Sequence, residues 1–121
     1  MNSTLISIID DDQSVREAMK SLLRSLGYAA AGFASAEEYL DSDRIRDTAC
    51  IITDLQMPGL SGIDLQQRLL ADGNKTPIIF VTAFPNDKMR KHALAAGAFG
   101  FLNKPFDEPT LIACIDKALQ R

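Results

Sequence analysis

Residues 5–12 read LISIIDDD, a run suited to a buried β-strand that is followed at once by three aspartates. The apolar part is short and rich in β-branched residues, which is typical of a strand buried on both faces of a parallel sheet. A helix-spaced series follows with Val15, Met19 and Leu22, and Gly27 stands where glycine commonly ends a helix. Strand and helix therefore alternate from the start of the chain.

The same alternation continues through the rest of the sequence. Further strands are predicted from short β-type runs at 28–33, 50–53, 78–81 and 99–102. Helices are predicted between and after these strands. The second begins at a capping box of Ser35 and Glu38, and the third is indicated by leucines at 65–70, before Gly73 and Asn74. The fourth is predicted over 87–96, and the fifth begins after the Asp107 cap and has an apolar face of Leu111, Ile112, Ile115 and Leu119. Because parallel strands need helical crossovers, five strands alternating with five helices predict a doubly wound α/β fold with a parallel sheet.

Length and composition limit the classes of protein. The chain has 121 residues, 46% of them hydrophobic, and a net charge of −3. This length is that of one ordinary domain of roughly 100–150 residues and leaves no room for a second. The slight acidity argues against a nucleic-acid-binding surface, which needs clustered cations, and the apolar content argues against disorder.

The cysteines and the apolar runs indicate the compartment. Cys50 and Cys114 each lie in an apolar stretch without a CxxC partner, so both are expected to be reduced and buried. The N-terminus lacks the pattern of a signal peptide, and no apolar segment approaches the ~20 residues that cross a bilayer. We therefore expect a cytoplasmic protein that is not inserted in a membrane.

Acidic residues follow two of the predicted strands. Asp10 and Asp11 come directly after the first strand, and Asp54 directly after the third. The carboxyl ends of parallel strands share one edge of the sheet, so these carboxylates should be neighbours there. Asp12 is interpreted as the cap of the next helix. Clustered carboxylates without His or Cys favour a hard cation such as Mg²⁺.

The fourth and fifth strands end in groups that complement the acids. Thr82 follows the fourth strand and offers a hydroxyl, with the small Ala83 beside it. Lys104 follows the fifth strand and precedes Pro105, before which a cis peptide bond is one option. A carboxylate nucleophile, a metal, a hydroxyl and an ammonium at one edge meet the needs of phosphoryl transfer.

The sequence resembles the receiver domain of bacterial two-component response regulators over essentially its whole length. The matching pieces, in order and each at a predicted strand end, are IIDDD at 8–12, ITDLQMPG at 52–59, VTA at 81–83 and KPF at 104–106. The stretches FPND at 84–87 and GAFGF at 97–101 look most like the branch that often carries helix-turn-helix outputs. The resemblance implies a flavodoxin-like fold with strand order 2-1-3-4-5.

The resemblance also implies a role for each site residue. Asp54 would accept a phosphoryl group, and Thr82 and Lys104 would bind its oxygens. Asp10, Asp11, Asp54 and the backbone carbonyl of Gln56 would hold Mg²⁺, for which Mn²⁺ could substitute. Phe101 would turn inward as Thr82 moves, although it also fits a plain core aromatic. The glycines of the loop after Asp54, Gly59 and Gly62, are expected where backbone angles favour glycine.

Two further features keep alternatives open. The side chain of Gln56 is expected to be exposed and could influence the lifetime of the phosphate. Lys88, Arg90, Lys91 and His92 make the fourth helix basic, which suits either a solvated face or a partner surface. His92 has no partner visible in the sequence.

Three function classes compete. The first is a phosphoacceptor switch, which receives its phosphoryl group from a histidine kinase or a phosphotransfer protein and acts on an output domain or protein. Such a switch could form a homodimer when phosphorylated and would have at most weak autophosphatase activity. The second is an interaction module that keeps the fold without phosphorylation. The third is a small aspartate-nucleophile phosphatase, disfavoured because Gln56 stands where such enzymes place a second carboxylate. Dinucleotide binding is weaker still, because Asp10, Asp11 and Asp12 replace a glycine-rich phosphate loop.

The ends of the chain lead to one more expectation. The chain begins just before the first strand and ends at Arg121, in the predicted fifth helix. We therefore expect one complete receiver domain, 1–121, with nothing appended, which fits either a stand-alone regulator or a receiver taken from a longer protein.

Overall fold

The fold is a five-stranded parallel sheet with helices on both faces. The computed structural model describes residues 4–84 and 86–120, so Pro85 of the FPND stretch and Arg121 lie outside it. The strands are β1 (Leu5–Ile9), β2 (Ala29–Phe33), β3 (Thr48–Asp54), β4 (Ile78–Thr82) and β5 (Gly100–Asn103). The helices are α1 (Gln13–Ser25), α2 (Ala36–Leu40), α3 (Gly62–Ala71), α4 (Asp87–Ala95) and α5 (Glu108–Leu119). The sheet order β2-β1-β3-β4-β5 confirms the predicted fold class.

The sheet separates two apolar cores, as expected for strands buried on both faces. On one face, Ile51 and Phe80 pack with Tyr39 of α2 and Leu65 of α3. On the other face the packing is between strands β1, β3 and β4 and helices α1 and α5, through residues that include Ile8, Ile52, Ile79, Leu23 and Leu111. Successive strand residues, such as Ile51 and Ile52, alternate between these cores.

Some element boundaries and caps differ from the sequence prediction. β3 begins earlier, at Thr48, whose buried hydroxyl lies 2.7 Å from that of Ser7. Ser35 caps α2 by accepting from the Glu38 amide at 3.0 Å. The reciprocal capping box is found instead at α3, between Ser61 and Asp64.

Burial corrects two further expectations. On α5, Ala118 is buried, whereas Ile112 and Leu119 are only partly buried. Cys50 is a buried free thiol as predicted, but Cys114 is only half-buried, so the prediction that both are buried is wrong for Cys114. Within residues 4–84 and 86–120, no helix combines the length and apolar character needed to span a membrane.

Candidate functional site

Strand register brings the predicted acidic residues together at one edge of the sheet. β1 pairs in parallel with β3, and Ile9 lies opposite Thr53, so Asp10 and Asp54 leave adjacent strands side by side. Asp10, Asp11 and Asp54 each place a carboxylate oxygen within 4.8 Å of the others. The predicted cluster of three carboxylates therefore exists, and its all-oxygen donor set suits a hard divalent cation.

The three carboxylates differ in exposure and support. Asp10 is 3% exposed, Asp54 is half-buried and Asp11 is exposed. Asp10 accepts a hydrogen bond from the Asp12 amide at 2.9 Å, and its own carbonyl accepts one from Arg16 Nη1 at 2.7 Å. Asp12 caps α1, as predicted. Asp10 is thus fixed by the loop, while Asp11 is exposed to solvent.

Lys104 reaches two of the three carboxylates. Its Nζ donates to Asp10 Oδ2 at 2.8 Å and to Asp54 Oδ2 at 3.2 Å. The Lys104 amide donates to the Thr82 carbonyl at 2.7 Å, and the following bond to Pro105 is cis. Burial disfavours the ammonium charge, but the hydrogen bonds and charges of Asp10 and Asp54 outweigh it and raise the pKa of Lys104. The lysine is therefore a fixed cation within the acidic edge.

Asp54 lies in an environment that raises its basicity. Burial raises the pKa of this carboxyl; the charge of Lys104 opposes the shift and the charge of Asp10 adds to it. A carboxylate held partly out of water and beside a second negative charge is a better nucleophile than one in bulk water. One of its oxygens accepts from the Gln56 amide at 3.3 Å, which orients the carboxylate.

Thr82 completes the edge from β4. Asp54 lies opposite Val81 in the sheet, so Thr82 follows one residue further along on the neighbouring strand. Thr82 is fully buried, and its hydroxyl oxygen accepts from the Phe84 amide at 3.1 Å. Asp54 and Thr82 therefore end β3 and β4 and Lys104 directly follows β5, so a carboxylate, a hydroxyl and an ammonium lie on one edge.

The sequence of this chain matches a known protein family. A family model described as the response regulator receiver domain matches residues 6–116. The chain belongs to this family. It is 39% identical over 118 residues to the response regulator protein TodT of Pseudomonas putida, and this match covers 98% of the chain and 52% of TodT.

Other relatives give the same picture. The transcriptional regulatory protein FixJ of Azorhizobium caulinodans is 39% identical over 116 residues, which cover 96% of this chain and 55% of FixJ. The structure of the response regulator StyR superposes with a TM-score of 0.91 at 40% identity, covering 98% of this chain and 60% of that one. FixJ-N superposes with a TM-score of 0.87 at 31% identity, covering 100% and 97%. The chain spans about half the length of the curated relatives it matches.

These relatives bear on the kind of protein. TodT and StyR are response regulators, and FixJ is a transcriptional regulatory protein. Response regulators are signalling proteins rather than enzymes. The predicted resemblance to the receiver family is therefore confirmed.

The remaining predicted residues of this receiver domain lie around the edge. Gln56 is exposed, as expected. Phe101 is half-buried on β5, with its ring centroid 6.1 Å from that of Phe80. Gly59 has the expected positive φ of 80°, whereas Gly62 does not, and a Cβ there would meet the Asp54 carbonyl and Phe80. The expectation for Gly62 is corrected: close approach, not backbone angle, requires glycine.

Sequence reasoning missed several partners in this receiver domain. His92 Nε2 lies 3.1 Å from Gln67 Nε2 on α3, although the sequence shows no partner for it. Glu37 of α2 accepts from the Leu60 amide at 3.2 Å, and Arg16 binds the Asp10 carbonyl. The contacts of His92 and Glu37 join residues 25 and 23 positions apart, and no local pattern signals them.

Proposed function

We propose that this receiver domain, 1–121, accepts a phosphoryl group on Asp54 from the phosphohistidine of a histidine kinase or phosphotransfer protein. One observation carries the proposal: the Asp54 carboxylate stands half-buried at the sheet edge with Lys104 bound to its Oδ2 at 3.2 Å. A structural ion pair alone would not need Asp10 and Asp11 crowded beside it. The crowding makes sense for a site that neutralises the charge of a transferring phosphoryl group.

The proposed reaction divides its tasks among four side chains. The free electron pair of an Asp54 oxygen attacks phosphorus while the N–P bond of phosphohistidine breaks and the imidazole nitrogen leaves with its electron pair. Lys104 moves its ammonium from Asp54 Oδ2 to a phosphoryl oxygen. Asp10 keeps its hydrogen bond from the Asp12 amide at 2.9 Å and holds the other side of Lys104. Thr82 donates its hydroxyl to another phosphoryl oxygen.

The donor set of the acidic edge fits Mg²⁺. Asp11 and Asp54 would bind it directly, the Gln56 carbonyl would add a third oxygen, and Asp10 would act partly through water. When bound, the cation neutralises the oxygens of the phosphoryl group as it is transferred. Mn²⁺ accepts the same ligands and would substitute.

The phosphorylated domain would act through its partner-binding face. We propose that Thr82 moves toward the phosphoryl group and that Phe101, now packed near Phe80, turns further inward. The basic α4 lies next to this face, with Lys88, Arg90, Lys91 and His92 all exposed. An output domain or protein, or a second phosphorylated copy, would bind there. By analogy with FixJ, a protein that carries this domain would regulate transcription, in the cytoplasm and away from the membrane, with nucleic acid bound outside this domain.

The test is phosphorylation by a small donor. Incubation with acetyl phosphate and Mg²⁺ should add one phosphoryl group to the protein, seen by intact-mass spectrometry, and hydroxylamine should remove it. Asp54→Asn should abolish the adduct, and Asp64→Asn, which changes an exposed aspartate of α3, should not. An unmodified wild-type protein under saturating donor and Mg²⁺ would refute the proposal and favour a module that works without phosphorylation. Rapid multiple turnover of the donor would favour a phosphatase instead.

A further inference from the structure

The loop between β3 and α3 is held from outside by Glu37 of α2. Glu37 Oε2 accepts a hydrogen bond from the Leu60 amide at 3.2 Å. The same carboxylate lies against Gly59, where a built Cβ would collide with Oε2. Gly59 also has a φ of +80°, a conformation that residues with a side chain rarely adopt. The loop and the glutamate therefore fit one another closely.

The helix that carries Glu37 is firmly anchored. Ser35 caps its first turn, and Tyr39 is fully buried in the core. The Tyr39 ring meets Phe33 of β2 edge-on, with centroids 5.1 Å apart. A carboxylate on an anchored helix can restrain a loop, because the loop and not the helix gains order from the contact.

The loop is also the segment that carries Gln56. Its start is tied to Asp54 through the Gln56 amide at 3.3 Å, and its end is closed by the Gly62 amide bonding to the Leu55 carbonyl at 2.9 Å. Glu37 binds the loop at Leu60, two residues before α3 begins. The three contacts together restrain the loop that carries the Gln56 carbonyl.

We propose that Glu37 is a positioning residue, which pre-organises this loop so that the Gln56 carbonyl is ready to bind the divalent cation. The inference rests on the metal site of the proposed function and deepens it. Without Glu37 the loop must be ordered when the cation binds, and that ordering weakens binding. Glu37 itself does not contact the metal, so it acts through the loop alone.

Three variants separate loop restraint from charge. Glu37→Ala removes the acceptor, and Glu37→Gln keeps an acceptor oxygen while removing the charge. Glu38→Ala removes the neighbouring exposed charge, which lies on the same helix. Mg²⁺ affinity is measured by isothermal titration calorimetry. Exchange of the Leu60 amide with solvent is measured by NMR on the same proteins, without metal.

The expected results follow from one hydrogen bond. Glu37→Ala should weaken Mg²⁺ binding about fivefold and speed Leu60 exchange by a similar factor, since a net hydrogen bond is worth that much. Glu37→Gln and Glu38→Ala should both stay within about twofold of wild type in both measurements.

Other results would overturn the inference. If Glu37→Ala binds Mg²⁺ as tightly as wild type, the loop does not need the contact. If Glu38→Ala or Glu37→Gln weakens binding as much as Glu37→Ala, the effect is long-range charge and not positioning. If the wild-type protein binds no Mg²⁺, the proposed metal site and this inference both fail. If the wild type and Glu37→Ala bind Mg²⁺ equally well, only this inference fails, so the two failures are distinguishable.

Discussion

Replacing Lys104 by methionine tests the electrostatics of the acidic edge most directly. The ammonium lies 2.8 Å from Asp10 Oδ2 and 3.2 Å from Asp54 Oδ2, and the side chains of Lys104, Asp10 and Asp54 are 19%, 4% and 12% exposed. With an effective dielectric constant near 20, the attractions amount to about 6 and about 5 kcal/mol. Methionine has a similar length but removes both attractions.

The net loss is smaller than those attractions because methionine is not desolvated as the ammonium is. Removing one partner of a fully buried ion pair costs about 3–5 kcal/mol, and this lysine is partly accessible. We therefore expect Lys104→Met to lower the free energy of unfolding by about 2–4 kcal/mol in EDTA at pH 7. Mg²⁺ should bind about tenfold more tightly to the variant, because the fixed ammonium no longer repels it.

The dependence on pH follows from the raised pKa of Lys104. Pairing stabilises the folded protein fully below the unfolded lysine pKa, near 10.5, and is lost only as pH rises through the higher folded value. The difference in stability between wild type and Lys104→Met should therefore be the same at pH 7 and pH 9.

The assay is urea unfolding followed by far-UV circular dichroism, since the sequence contains no tryptophan for fluorescence. Titrations are run in EDTA and in excess MgCl₂, with Lys91→Met as the control because Lys91 is exposed on α4. The control should change stability by less than about 0.5 kcal/mol. If Lys104→Met unfolds at the same urea concentration as wild type in EDTA, or binds Mg²⁺ no more tightly, the electrostatic reasoning is wrong.

The remaining predictions concern the buried acid, a close-packed glycine and a thiol. Asp54→Asn should stabilise the metal-free protein at pH 7, because burial raises the pKa of Asp54 and so disfavours its ionised form in the fold. In pH-dependent urea titrations this gain should shrink as pH falls and vanish below the ordinary value of 3.8, where the carboxyl is protonated in the folded and the unfolded protein alike. Gly62→Ala should lower the free energy of unfolding in urea by about 1–3 kcal/mol, because its Cβ meets backbone. The control Gly32→Ala should be nearly neutral, because its Cβ meets only lysine and arginine side-chain carbons. Burial raises the pKa of Cys50 to about 12, so iodoacetamide at pH 8 should label the half-buried Cys114 first. Equal labelling of the two thiols in mass spectra of the native protein would contradict this.

Much of the site was predictable because it depends on where strands end. The apolar run before Asp10 and the run before Asp54 define two buried strands, and parallel pairing brings their carboxyl ends to one edge. Lys104 and Thr82 follow from the same rule on β5 and β4. Periodicity and strand-end position, not long-range contacts, carry these predictions.

The parts that were not predictable depend on packing between distant elements. The contact from Glu37 to Leu60 joins residues 23 positions apart, and the one from Gln67 to His92 joins residues 25 apart. The early start of β3 also depends on a distant contact, because the Thr48 hydroxyl lies against that of Ser7 across the sheet. No local propensity encodes such pairs, since each partner is compatible with many others.

The charge balance of the acidic edge relates its stability to its proposed function. Three carboxylates gather there, and within the part of the chain that the structure describes Lys104 is the cation paired with them. The edge therefore carries an excess of negative charge that a divalent cation would neutralise. Phosphorylation would add further negative charge at Asp54, in the position where Lys104 already lies. The same excess that destabilises the metal-free fold would favour a bound cation, and that cation together with Lys104 would let the edge hold a phosphoryl group. Lys104→Met is therefore informative in both directions, because the substitution should destabilise the fold while strengthening Mg²⁺ binding.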